Sequence, residues 1–87
     1  MKVKVLFFAM TRELVGIREC DLILNDNNDN ETIITTVTLM EELCRLYPSL
    51  LTILDQIVLA VNKAYITDAV TLKDGDEIAL IPPISGG

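Results

Sequence analysis

The chain has 87 residues, 51% of them hydrophobic, and a formal net charge of −6 from 13 acidic and 7 basic residues. That length makes one small domain, with no room for a deep pocket beside a scaffold, and the acidic balance disfavours nucleic acid, which asks for a basic patch. There is no histidine, so the commonest general base and the commonest metal ligand are both missing, and no uncharged apolar run reaches the about 18 residues of a membrane span.

The high apolar fraction implies either a very dense core or apolar surface kept for a partner. Cys20 and Cys44 match no metal or redox spacing, so they read as reduced thiols and no metal site is expected. Residues 2–9 alternate. Val3, Val5 and Phe7 share one face, while Lys2, Lys4, Leu6 and Phe8 share the other. The lysines put solvent on the second face, and Leu6 and Phe8 then point outward. The opening is basic then apolar, like a secretion signal, but Arg12 and Glu13 cut the run short, so it reads as a strand. With no such signal, the expected location is the cytosol. Residues 10–16 form a short turn of helix closed by Gly16, and residues 17–24 alternate again as a second strand.

Residues 25–31, Asn-Asp-Asn-Asn-Asp-Asn-Glu, make a polar loop. It lacks the glycine and closing glutamate of a calcium-binding loop. A helix follows, with Thr36 as its expected N-cap. Thr38, Glu41, Glu42, Arg45 and Ser49 form one polar stripe, which predicts a narrow wet face and an otherwise buried cylinder. Pro48 ends the pattern at Tyr47, and Leu50 to Leu54 suit a short second turn. Ile57–Val61 is a strand-length apolar run, covered on both faces or turned on one face toward a partner. Asn62-Lys63-Ala64 is a turn and 65–67 a short strand. Lys73-Asp74-Gly75-Asp76 is a strong turn signal. The last strand, 77–81, sets Ile78 and Leu80 against Ala79 and Ile81.

Two strands, a helix and further strands predict an α+β domain with one main helix across one sheet face. The folded domain is expected over 1–81 and a flexible tail over 82–87. Pro82 and Pro83 lack N–H groups, so pairing stops there and the path turns extended. Six extended residues, Pro82-Pro83-Ile84-Ser85-Gly86-Gly87, reach roughly 20 Å. Their tip has no Cβ and is able to enter a slot that would exclude any other residue. If the first and last strands are neighbours, Leu6, Phe8, Ala79 and Ile81 form an apolar patch at the root of the tail.

Val5-Leu6-Phe7-Phe8-Ala9, Arg12-Glu13-Leu14-Val15-Gly16, Leu59-Ala60-Val61-Asn62, Asp74-Gly75-Asp76-Glu77-Ile78-Ala79 and the closing Pro82-Pro83-Ile84-Ser85-Gly86-Gly87 occur in this order. In these stretches the chain resembles the sulfur-carrying small subunits of molybdopterin synthase, the MoaD-type group of ubiquitin-like β-grasp proteins. The resemblance implies a β-grasp fold with about five strands and no catalytic residue of its own. It implies that a separate E1-like enzyme spends ATP to adenylate Gly87, and that sulfur then replaces AMP as a thiocarboxylate. No cofactor is held permanently. The tail would enter the large catalytic subunit of a heterotetramer, where sulfur builds the dithiolene of molybdopterin on cyclic pyranopterin monophosphate. Phe8, Leu80 and Ile81 would lie in or near the docking surface. Many relatives carry Phe where this chain has Leu80 and Ile81. The alternatives are a carrier for thiamine or tRNA thiolation, a ubiquitin-like modifier joined to lysines, and a plain interaction domain with an inert tail.

Overall fold

The computed structural model describes residues 1–24 and 33–82. The polar loop expected at 25–31 falls outside them. In chain order the elements are β1 (Lys2–Phe7), α1 (Met10–Val15), β2 (Glu19–Ile23), α2 (Thr36–Leu46), a 3₁₀ helix (Pro48–Gln56), β3 (Val58–Val61), β4 (Ala64–Ile66) and β5 (Glu77–Ile81). The strands form one sheet in the order β2-β1-β5-β3-β4. The central strand β5 runs parallel to β1 and antiparallel to β3.

Local chemistry sets the boundaries. Gly16 closes α1 in the left-handed region, at φ 89°, and its N–H donates to the Arg12 carbonyl. Asn62 and Lys63 both take positive φ, at 51° and 73°, and with Val61 paired to Ala64 they make the tight two-residue turn that suits a twisted hairpin. The cap of α2 is Thr35, one residue before the expected Thr36. Thr35 is extended and its hydroxyl accepts from the Val37 N–H. Thr36 is already helical, and its buried side chain instead accepts from the Val70 N–H at 3.3 Å.

One sheet face carries the core. Val3, Val5 and Phe7 of β1 and Ile78 and Leu80 of β5 are buried with Leu39 and Leu43 of α2 and Leu50 of the 3₁₀ helix. Phe7 meets Tyr47 edge to face at 5.9 Å. The expectation that most of α2 would be buried is corrected. Thr36, Leu39 and Leu43 are its buried residues, while Val37 and Leu46 are exposed. A helix lying on a single sheet touches it along one stripe only, and its remaining apolar flank stays open.

The register of β5 is clamped at its start. Asp76 accepts from the Lys73 N–H at 2.8 Å and from the Asn62 side-chain amide at 3.0 Å. Asn62 in turn accepts from the Glu77 N–H at 3.0 Å and gives its own N–H to the Glu77 carbonyl at 2.8 Å. Gly75, at φ 87°, lets the turn close and donates to the Lys2 carbonyl. The turn at 73–76 is thereby tied to both β1 and the β3–β4 hairpin. Asp76→Ala removes two acceptor contacts at an exposed site. It is expected to destabilise the domain by about 1–2 kcal/mol, read as a lower urea midpoint with an unchanged slope.

Candidate functional site

The face of the sheet away from α2 is open, and the registers fix what it carries. One row crosses all five strands as Glu19, Leu6, Ala79, Ala60 and Tyr65. The next row toward the chain's end pairs Ile81 with Val58. Continuing the β1–β5 register by one residue sets Phe8 beside Ile81, and the Phe8 N–H still donates to the Leu80 carbonyl at 3.3 Å. Phe8 is 45% exposed and Tyr65 72%. The result is an apolar area where β5 ends. It is bordered on the β2 side by charge, with Lys4 3.3 Å from Glu19 and Lys2 3.7 Å from Asp21. These pairs are exposed and contribute little stability, but they divide the face into a charged corner and an apolar remainder.

The root of the tail is held by one buried hydroxyl. Thr11 is fully buried. Its Oγ1 accepts from the Phe8 N–H at 2.9 Å and lies within donor distance of the Phe8 and Leu80 carbonyls, at 2.7 and 3.2 Å. Ala9 completes the turn at φ 50°, a conformation that favours glycine, and the Thr11 N–H closes it onto the Phe8 carbonyl. The segment that carries Phe8 and the end of β5 therefore form one hydrogen-bonded unit. Pro82 follows directly, half-buried, and stops further pairing.

Of the three residues expected at a docking surface, Phe8 and Ile81 reach the open face. Leu80 does not. It faces α2 and is 0% exposed, because strand alternation puts it on the side of Ile78. It is a core residue, and a partner cannot touch it while the domain stays folded. Pro83, Ile84, Ser85, Gly86 and Gly87 lie outside the described residues. Sequence reasoning missed Val58, Ala60 and Tyr65. The continuous apolar run at 57–61 does not distinguish the two faces of β3, and only the pairing partners reveal which face is open.

Both cysteines are unpaired thiols. Burial pushes the Cys20 thiol up, and the neighbouring Asp21 carboxylate adds to the shift. Burial alone raises Cys44. Neither is activated as a nucleophile. Among the described residues, no three His, Cys, Asp or Glu side chains come together as a metal site. No helix among them is long and apolar enough to cross a membrane.

Comparison with known proteins reaches the same elements. The ThiS family model matches residues 5–87. A molybdopterin synthase sulfur carrier subunit of Chlamydomonas reinhardtii is 38% identical over 89 residues, covering all of both chains. Among solved structures, the small archaeal modifier protein 1 of Methanosarcina acetivorans is 27% identical with a TM-score of 0.78, over 99% of this chain and 96% of that one. A complex of subunits 1 and 2 of the molybdopterin-converting factor from Helicobacter pylori contains a chain 26% identical with a TM-score of 0.65, covering all of both. The five-stranded mixed sheet with one helix across it is the β-grasp architecture expected from the sequence.

The two faces of β5 predict opposite responses to charge. Phe8→Asp, at a side chain a little over half covered, is expected to cost about 1 kcal/mol and to keep a cooperative transition. Leu80→Asp buries an unpaired carboxylate and is expected to leave no cooperative urea transition. Circular dichroism of the two variants through urea checks both.

Proposed function

The chain belongs to the ThiS family, and on that footing we propose that its last residue, Gly87, carries sulfur for the synthesis of molybdopterin. The observation that carries this reading is the length of the likeness. It spans the whole of a sulfur carrier subunit, and the family model runs through the tail to residue 87. The open apolar face at the root of that tail supports it.

The chemistry follows from what a carboxylate can do. At neutral pH the Gly87 carboxylate is a poor electrophile. An E1-like enzyme supplies ATP, and a carboxylate oxygen attacks the α-phosphorus. A glycyl adenylate forms and pyrophosphate leaves. A donor holding sulfur at the sulfide level then attacks the acyl carbon, and AMP departs with its oxygen. The product is a thiocarboxylate, nucleophilic at sulfur. In a large subunit its sulfur is passed to the pterin precursor, water closes the acyl carbon, and the carboxylate returns. Two carriers supply the two sulfurs of the dithiolene, which suits a heterotetramer of two small and two large subunits.

The chain's own residues bind and orient. The Thr11 unit fixes where the tail starts, and Pro82 and Pro83 end pairing there. The five residues after Pro82 span at most about 17 Å, so the body must dock close to the reacting centre. Phe8, Ile81, Val58 and Tyr65 supply the docking surface, and Gly86 and Gly87 supply a tip with no side chain to obstruct a narrow slot. The subunit complex from Helicobacter pylori supports a large-subunit partner. The general base, the pterin pocket and the catalytic lysines belong to that partner. A cytosolic location goes with this division of work.

A second reading is kept because of the likeness to a small archaeal modifier protein. The same activated Gly87 would then be captured by a lysine amine as an isopeptide. Intact-mass measurement separates the two. After incubation with the activating enzyme, ATP and a sulfur donor, the mass should rise by the exchange of one oxygen for one sulfur, assigned to Gly87 by fragmentation. The Cys20→Ser/Cys44→Ser variant should gain the same increment. An unchanged mass, or an increment that vanishes with the cysteines, contradicts the carrier. Lysine-linked adducts in place of the increment favour the modifier.

A further inference from the structure

A second surface lies apart from the tail chemistry. A groove of about 790 Å³ runs between α2, the 3₁₀ helix and the β3–β4 hairpin. Val37 and Met40 of α2 form one wall, Leu51 and Leu54 of the 3₁₀ helix another, and Val58 and Ile66 complete it. This is the flank of α2 that the single sheet leaves uncovered. Val37 is 53% exposed and Leu51 58%, so large apolar side chains face solvent here without contributing to the core. Exposed apolar surface gathered in one concavity marks a binding site more often than scattered surface residues do.

Charge decides what fits. Glu41 and Asp68 are the charged residues that line the groove, both exposed, and no lysine or arginine is among the described residues lining it. The nearby Arg45 is paired with Glu42 on α2. An apolar floor with an acidic rim matches an apolar segment flanked by basic residues. It does not match the chain's own tail, whose end is a carboxylate and which offers the single large apolar residue Ile84. We infer that this groove docks a segment of another protein that presents apolar side chains flanked by lysine or arginine. Of the residues named for the open sheet face, only Val58 also lines the groove. Phe8 and Ile81 do not line the groove, and Val58, paired with Ile81, is where the two surfaces meet. The inference stands whether or not Gly87 carries sulfur.

The test uses the full chain and two amphipathic helical peptides with the same leucine spacing, one with lysines and one with glutamates on the polar face. The lysine peptide is expected to shift the amide resonances of Val37, Met40, Leu54 and Ile66. It should bind about tenfold more tightly than its glutamate counterpart, the effect of two exposed rim charges. A serine–lysine peptide without leucines should not bind. The Glu41→Lys/Asp68→Lys variant should reverse the preference, and Phe8→Asp should leave it unchanged. Equal affinity for both charged peptides would overturn the inference, as would shifts spread over the acidic surface. So would groove resonances that move when residues 83–87 are deleted, or on concentration-dependent self-association, since the tail or a second copy would then be the occupant.

Discussion

The register of β5 is the constraint on which the rest depends. β5 lies between a parallel neighbour and an antiparallel one, and side chains alternate with a period of two. A slip of one residue would turn Ile78 and Leu80 to the open face and Ala79 and Ile81 into the core. The Asn62–Asp76 clamp and the Gly75 turn prevent this at the start of the strand. The Thr11 hydroxyl holds its far end. Between them they decide which face stays open and where Pro82 leaves the sheet.

This explains why the motif residues that carry the family likeness are mostly not chemical. Val61-Asn62 and Asp74-Gly75-Asp76-Glu77 lie around the clamp, at the opposite end of β5 from the tail, while Leu59 and Ala60 pair along the strand with Leu80 and Ala79. Their work is to set the strand. On the proposed reading the chemistry belongs to Gly87, and the body supplies position and a surface. A small domain without histidine suits the proposed reading, in which activation and transfer are left to larger partners.

Much of this was legible in the sequence because the governing signals are local. Alternation marked β1 and β5, Gly16 marked the end of α1, and Asp74-Gly75 marked the turn before β5. The errors came where a neighbour decides. Thr35 and Thr36 are equally good caps in isolation, and the contact of Thr36 with Val70 selects between them. The apolar breadth of α2 suggests burial over all but one narrow face, whereas one sheet covers one stripe and leaves a groove. The resemblance implies a docking surface with both Leu80 and Ile81, although alternation puts them on opposite faces and buries Leu80. Val58 and Tyr65 share the open face only through pairing across three strands, which no local pattern records.

Under the proposed function, Gly87 transports sulfur and the rest of the chain presents it. The most direct measurement loads the carrier as its thiocarboxylate and mixes it with large subunit and pterin precursor in a single turnover. Carrier mass and dithiolene product are then followed together. Each carrier should return to the carboxylate mass in step with product, two carriers per dithiolene. Product formed while the thiocarboxylate mass persists, or sulfur lost with no dithiolene, would contradict the proposed function.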